Sequence, residues 1–355
     1  TAPPGFEARK AKGGAEVAGF NYTIQISPFD CTGCEVCVES CPDDALYMAP
    51  FNEVAEDHAP HWDYAISLPE RSEIGDKYSV KGSQFEKPLL EFSGACAGCG
   101  ETPYLKLATQ LFGNKMVIAN TSGCSSVWGG TSTTIPFTTN KDGHGPAWGR
   151  SLFEDNAEYG FGMMLATKQR REKLLDAVNM ALLEMELPEN LQTAMKSWVK
   201  YFNNSERCDE ASAQLESTLR TMGVENLDPR LKNIYEQKDM LRTQSHWLVG
   251  GDGWAYDIGY GGLDHVLARN ENVNILVLDT EMYSNTGGQV SKATQLSTVT
   301  KYATHGKRQN KKDLGNCAMQ YENVYVASVA MGANMNQCVQ AFKEAESYNG
   351  TSLII

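Results

Sequence analysis

From residue 92 onward, short apolar runs recur between glycine-rich turns. Residues 116–119, 246–249, 274–278 and 324–329 are nearly continuous in Val, Ile, Leu, Met and Ala, the pattern of strands buried on both faces. Residues 102–111, 257–267 and 335–345 carry apolar positions at helical spacing. The alternation predicts an α/β domain: a mainly parallel sheet covered by helices, with ligands at the loops that follow the strand ends. Residues 168–245 are rich in Leu, Met, Glu, Lys and Arg and nearly free of Gly, which reads as a helical insertion to which no chemistry is assigned. The last residues, 352–355, read as one more buried strand.

The chain before this domain has a different texture. Residues 1–19 hold Gly, Ala, Pro and charge with no apolar period, as a linker would. Residues 20–26 alternate like a short strand, and 20–50 read as one half of a ferredoxin-like α+β module. Residues 51–91 form an irregular, Pro-containing connector to the domain at 92–355. Composition changes this picture little: 41% hydrophobic residues and 32 Gly in 355 are ordinary for a chain with a sizeable core. The net charge of -13 argues against a nucleic-acid surface, and no window approaches a membrane span. One basic cluster, Lys307, Arg308, Lys311 and Lys312, stands out. It reads as a solvated loop, with a dock for an acidic electron carrier as the alternative.

The cysteines supply the first chemistry. Cys31, Cys34, Cys37 and Cys41 follow one another at intervals of two, two and three residues, and Pro42 closes the run. That is the bacterial ferredoxin ligand pattern, which favours an iron–sulfur cluster over a structural zinc site. In two-cluster ferredoxins the fourth Cys of such a run serves the other cluster. Cys31, Cys34 and Cys37 are therefore expected to hold one 4Fe-4S cluster, and Cys41 to reach a second. No second copy of the run is present, Thr1 is not a start Met, and the last residues lie in a strand pattern, so the chain reads as a fragment. Ten cysteines with metal-type spacing and no visible signal peptide point to a reducing compartment.

A second group consists of Cys96 and Cys99 in a Gly-flanked loop, with Cys124 following the strand at 116–119. The pair alone fits zinc or a redox dithiol as well as a cluster. Three thiols are expected to meet there, with a fourth owed from Cys317, Cys338 or beyond residue 355. Cys317 and Cys338 are read as buried apolar cysteines, as is Cys208 in the helical insertion.

Gly251-Asp252-Gly253 follows one strand, and Asp279-Thr280-Glu281-Met282-Tyr283-Ser284-Asn285-Thr286-Gly287-Gly288 follows the next. A carboxylate at one strand end and an oxygen-rich loop at its neighbour suit Mg2+, whose coordination is commonly completed by phosphates. Gly251 and Gly253 let backbone approach a diphosphate. The spacing matches the thiamine diphosphate motif, whereas a dinucleotide fingerprint fails at Tyr256. A plain turn is the competing reading.

Taken in this order, the cysteine run, the Cys pair with a distant Cys, and the Gly-Asp-Gly motif resemble the C-terminal third of the pyruvate:ferredoxin (flavodoxin) oxidoreductase family. The likeness extends over 22–42, 94–101, 123–130, 144–163 and 250–294. It implies oxidative decarboxylation of pyruvate with coenzyme A to acetyl-CoA and carbon dioxide, electrons passing through 4Fe-4S clusters to ferredoxin or flavodoxin. By this resemblance Asp252, Thr280 and the Met282 carbonyl bind Mg2+, Thr280 standing where many other thiamine enzymes have Asn. Asn285 is the catalytic candidate, beside the thiazolium and pyruvate; Glu101 touches the cofactor; Cys96, Cys99 and Cys124 hold the proximal cluster. The first cysteine run of the ferredoxin module, the glutamate that activates the cofactor and a coenzyme A related domain lie upstream in the family. The complete enzyme would be a homodimer in the cytoplasm or an anaerobic organelle. Rival readings are another 2-oxoacid oxidoreductase, a pyruvate:NADP oxidoreductase, or a non-catalytic electron-transfer module.

Overall fold

The computed structural model describes residues 1–131, 135–204 and 207–355. The described residues separate into two compact units, one containing 1–114, 124–145 and 329–344, the other 115–123, 146–328 and 345–355.

The first unit begins with two short strands, β1 (Arg9–Lys10) and β2 (Asn21–Tyr22), paired antiparallel. The strand expected over 20–26 is thus only two residues long, and its partner lies in the stretch expected as a linker. That stretch has fixed contacts: Val17 is buried, Lys81 Nζ donates to the Gly13 carbonyl at 2.8 Å, and the Phe6 ring meets Tyr64 edge-on at 4.9 Å. The connector is more regular than expected as well. Phe51–Ile66 is a 16-residue helix that runs through Pro60. The proline cannot donate a helical hydrogen bond, and of this helix only Ala55 is buried, with Trp62 and Tyr64 among the half-buried positions. The firmest element is the helix Thr102–Phe112, opened by Pro103 in its first turn. Its Thr109 hydroxyl accepts from the Leu89 amide at 3.1 Å, and Leu105, Leu107, Ala108, Leu111 and Phe112 are buried.

The second unit is built on six parallel strands: β3 (Met116–Thr121), β4 (Ala147–Ser151), β5 (Ser245–Gly250), β6 (Val273–Val277), β7 (Tyr325–Ala327) and β8 (Thr351–Ile354). Their spatial order is β4-β3-β5-β6-β8-β7. Strands β5, β6 and β8 are buried along their whole length, which accounts for their near-continuous apolar sequence. From β3 the chain steps outward to β4, then returns to the other side of β3 as β5 and continues to β6. The carboxyl ends of β3 and β5 therefore flank a topological switch point, the usual ligand position in open parallel sheets.

The helical arm starts earlier than the sequence indicated. One 29-residue helix, Asn156–Glu184, packs on β3, β4 and β5 and then continues into the arm. Gly160, which reads as a helix breaker, is what allows this packing: a Cβ there would stand 2.7 Å from Leu248 and 2.8 Å from Ala119. The arm has its own core of Leu174, Val178, Leu191, Met195, Trp198 and Leu215. Arg171 is its fastener. Buried beside this core, the guanidinium donates to the Met240 carbonyl at 2.8 Å, the Leu241 carbonyl at 3.0 Å and the Phe202 carbonyl at 2.9 Å, as well as to Arg242. Its Cζ lies 4.6 Å from the centroid of the Phe202 ring.

Two stability predictions follow from these buried polar groups. Arg171→Leu leaves several buried carbonyls without a donor and is expected to cost about 3 kcal/mol, read as a lower denaturant midpoint. His246 on β5 is buried, its Nε2 has no hydrogen-bond partner, and burial lowers its pKa from 6.5 to about 4. The unfolded chain therefore takes up a proton that the native chain refuses. This contribution is neutral above about pH 6.5 and destabilises progressively as pH falls toward 4, by about 3 kcal/mol in all. Equilibrium unfolding across that interval should be flatter with pH in His246→Gln.

Candidate functional site

The cysteine run forms a compact, left-handed bend in the first unit. Gly33 and Glu35 both have φ of 65°, and the short helix Val36–Glu39 starts directly after them. This turns backbone N–H groups toward sulfur. The Val36 amide above all, with the Thr32 hydroxyl and the Gly98 amide, holds the Cys34 thiol below the ordinary cysteine range. The Ala45 amide donates to Cys41 Sγ at 3.3 Å and, with the Asp43 amide, lowers that thiol too. Thiolate is the metal-ligating form, so these donors favour ligation. Cys31, Cys34 and Cys37 are exposed and Cys41 is partly covered.

The second cysteine group belongs to the same unit. Gly98 lies against the first run: a Cβ on it would meet Val36 Cγ2 at 3.3 Å. The Cys99 amide donates to the Cys96 carbonyl at 3.1 Å, and the Glu101 amide to Cys99 Sγ at 3.4 Å. Burial, with the charges of Glu101, Cys99 and Cys96 nearby, pushes the Cys124 thiol up to about 11. Glu101 is itself buried, and Trp128 Nε1 donates to its Oε2 at 2.9 Å. Burial raises its carboxyl above the usual range, against that bond. Among the described residues no three His, Cys, Asp or Glu side chains stand close enough to share one metal ion. A four-iron cluster asks for something else, because each thiolate ligates a different iron and the sulfurs stand apart. Cys208 and Cys338 are fully buried as expected from apolar cysteines, while Cys317 is half-buried against Tyr260.

In the second unit, Gly251-Asp252-Gly253 leaves the carboxyl end of β5 at the switch point, and Asp279–Gly288 leaves β6 beside it. The Leu278 amide donates to the Gly250 carbonyl at 2.8 Å and keeps the two strand ends in step. Asp252 is buried. Its Oδ1 accepts from the Thr280 amide at 3.3 Å and its Oδ2 from the Ser291 hydroxyl at 2.7 Å. The Thr280 hydroxyl donates to the Met282 carbonyl at 3.0 Å, a bond that a cation would replace. Two oxygens adjacent in an octahedral Mg2+ shell stand about 2.9 Å apart, given ligand distances near 2.05 Å. Carboxylate, hydroxyl and carbonyl are also the hard donors this ion takes, so these residues fit a divalent cation. Burial, and then the charge of Asp279, push the Asp252 carboxyl up to about 7 against its Ser291 and Thr280 donors. A cation would relieve that cost.

The rest of the loop is ordered by side chains far along the chain. Asp279 accepts from Tyr256 Oη at 2.7 Å and pairs with Lys311 Nζ at 2.5 Å. Lys311 also reaches Glu281 at 3.2 Å, and Gln295 Nε2 donates to the same Glu281 oxygen at 3.0 Å. Gln295 first, and Lys311 with it, hold the Glu281 carboxyl below the usual range. Asn285 is exposed on the turn closed by Tyr283 and Gln289. The basic cluster is not a solvated loop. Lys307 is buried and donates to the Thr294 carbonyl at 2.6 Å, Lys312 Nζ sits over the Tyr260 ring, and only Arg308 points outward as expected. Ser291 and Gln295 had no motif to mark them and Lys311 only the basic cluster; their roles depend on loop closures over 39, 14 and 30 residues.

Comparisons with known proteins agree on both halves. The family described as thiamine pyrophosphate enzyme, C-terminal TPP binding domain, matches residues 238–355, and the 4Fe-4S binding domain family matches 24–47. Over its whole length the chain is 54% identical to the mitochondrial pyruvate dehydrogenase (NADP(+)) of Euglena gracilis. It is 52% identical to the pyruvate:ferredoxin oxidoreductase of Moorella thermoacetica and 51% to the pyruvate-flavodoxin oxidoreductase of Klebsiella pneumoniae. It spans 19% of the first protein and 30% of each of the others. No helix among the described residues is long and apolar enough to cross a membrane.

Of the glycines at the strand end, Gly250 is the most constrained. A Cβ there would fall 2.0 Å from Thr121 Cγ2 and 2.8 Å from the Trp254 ring, whereas one on Gly251 would meet nothing closer than 3.6 Å. Gly250→Ala is expected to cost about 2 kcal/mol by overpacking and to weaken cation binding at the adjoining Asp252. Gly251→Ala should be the milder change in a thermal melt.

Proposed function

This chain corresponds to the C-terminal portion of the pyruvate:ferredoxin/flavodoxin oxidoreductases, and we propose that it is the part that binds thiamine diphosphate and carries electrons away from it. The reaction is pyruvate and coenzyme A going to acetyl-CoA and carbon dioxide, with two electrons delivered one at a time to ferredoxin or flavodoxin. The observation that carries this reading is the buried Asp252 carboxylate at the switch point, bonded to the Thr280 amide, with the Thr280 hydroxyl and Met282 carbonyl set 3.0 Å apart.

In this reading Asp252, Thr280 and the Met282 carbonyl hold Mg2+, and the amides of Gly251 and Gly253 face the diphosphate. Thiamine diphosphate, when bound, supplies the electron sink for loss of carbon dioxide. The protein's contribution is to hold the cation against a carboxylate that is itself buried and fixed by the Ser291 hydroxyl. Asn285, exposed on its turn, is available to orient the substrate carbonyl; a cofactor contact by the buried Glu101 is supported by the family resemblance alone. Cys96, Cys99 and Cys124 take a proximal 4Fe-4S cluster. Cys31, Cys34, Cys37 and Cys41 belong to a ferredoxin-like module, over about 20–50, that passes electrons on. Clusters suit this step because they accept single electrons. Much of the pyruvate pocket, coenzyme A binding and activation of the cofactor fall to other domains of the enzyme, which works as a dimer in a reducing compartment.

A second reading concerns only the electron acceptor. The relative from Euglena gracilis is named for NADP(+), and it is at least as similar as those named for ferredoxin or flavodoxin. Under that reading the same clusters feed a flavin reductase that forms NADPH.

Removing the Asp252 charge tests the central assignment. Asp252→Asn keeps shape and hydrogen bonding but is expected to lower affinity for Mg2+ and thiamine diphosphate at least 100-fold by calorimetry, with an unchanged far-ultraviolet spectrum. Affinity within threefold of wild type would remove the assignment.

A further inference from the structure

The reading of Asp252, Thr280 and Met282 as cation ligands leaves a question about their neighbours. Thr280 is flanked directly by two more carboxylates, Asp279 and Glu281. Both sit on the same strap as the proposed hydroxyl and carbonyl ligands. As Lys311 holds them, Asp252, Asp279 and Glu281 do not converge on one point; released from it, the two flanking carboxylates would be free to turn to a divalent cation at Asp252 and supply charged donors with no phosphate present. Mg2+ in phosphate-dependent sites is held by one or two carboxylates and completed by the phosphate oxygens.

The side chain that separates the two situations is Lys311. Its ammonium bridges Asp279 at 2.5 Å and Glu281 at 3.2 Å, reaching both residues that bracket Thr280. The Asp279 arm is covered, with the Lys311 side chain 25% and Asp279 14% exposed, so solvent and salt screen it less than a surface pair; the Glu281 arm, with Glu281 46% exposed, is screened more. Burial works against the Lys311 charge, yet its bonds to Asp279 and Glu281 outweigh this and raise its pKa above the ordinary lysine value. The backbone between the two carboxylates also needs holding. Glu281 has φ of 61°, an unfavourable region for a non-glycine residue, and its carbonyl accepts from Thr294 Oγ1 at 2.5 Å.

We propose that Lys311 is a positioning and specificity residue for the cation of the cofactor: by bridging Asp279 and Glu281 it keeps both carboxylates off the metal and holds Thr280 toward Asp252, so that the cation binds only together with a diphosphate. This rests on the cation-site reading above and goes beyond it. It also gives the basic cluster a use that neither a solvated loop nor a partner dock would give.

The test measures free Mn2+ by electron paramagnetic resonance in the cofactor-free native protein, with and without thiamine diphosphate. Wild type should bind tightly only with the diphosphate. Lys311→Met should bind Mn2+ alone at least tenfold more tightly than wild type does and lose at least tenfold in affinity for Mn2+ with the diphosphate. Lys311→Arg should restore wild-type behaviour. If Lys311→Met does not fold, Lys311→Gln, which keeps a hydrogen-bond donor but no charge, should show the same gain in diphosphate-free binding. A merely structural lysine would not produce that gain. Folded Lys311→Met or Lys311→Gln protein that matches wild type in both conditions overturns the inference. Asp252→Asn separates the two levels. If it abolishes binding while the Lys311 variants behave as wild type, only the Lys311 inference falls; if it leaves binding with the diphosphate intact, the cation site and the inference fall together.

Discussion

A carboxylate buried at the carboxyl end of a parallel strand is costly unless something compensates it, and the second unit is arranged around that fact. Among the described residues Asp252 has two neutral donors, the Thr280 amide and the Ser291 hydroxyl, and no lysine or arginine within salt-bridge distance, the more distant Lys311 charge offsetting its cost only in part. Neutral donors alone leave the charge expensive, and Asp279 nearby makes it more so. Such a group is out of place as a stability device. As half of a cation site it is sensible, since the charge that is costly without metal is what attracts it. The position itself follows from topology: the reversal of strand order between β3 and β5 opens a crevice at the strand ends, and the chain places the Asp there.

Everything that steadies this carboxylate comes from residues 278–311, a segment with little regular secondary structure. Long irregular segments inside compact domains are uncommon and are mostly functional. Here the segment is held by discrete bonds rather than by a ladder: Ser291 to Asp252, Tyr283 to Asp257 at 2.6 Å, Tyr256 to Asp279, Lys307 to the Thr294 carbonyl. An irregular path lets the Thr280 hydroxyl meet the Met282 carbonyl while the flanking Asp279 and Glu281 turn to Lys311.

The sequence made some of this legible and concealed the rest, for physical reasons. Strands buried on both faces write themselves as apolar runs, so the β-α-β alternation and the parallel sheet could be read directly. A Gly-Asp-Gly after such a run could also be placed at a strand end. The helix Asn156–Glu184 was harder to see because Gly160 and Gly162 mimic a break, when Gly160 marks close packing on β3 and β5. The helix through Pro60 was obscured in the same way. Lys311 stood out only as a member of a basic cluster, and its role could not be read from that pattern. A lysine that bridges Asp279 and Glu281 has the same local signature as one that faces water, and only loop closure over 30 residues distinguishes them. Thr280 and Met282 were singled out by family resemblance, not by spacing.

The cysteine segments solve a different electrostatic problem. Several thiolates in a small region repel one another, and burial makes the repulsion worse, as the raised Cys124 thiol illustrates. The first run counters this with backbone. The left-handed residues Gly33 and Glu35 swing amides toward Cys34, and the turn after Cys41 does the same with Ala45. Amide donors carry no net charge and no titratable proton, so they lower the cost of thiolate without adding a cation that would compete with iron. The contrast with Lys311 is instructive. Where the proposed metal brings two positive charges, surplus carboxylates must be neutralised by a fixed cation; where iron and sulfide together carry the charge balance, oriented dipoles suffice.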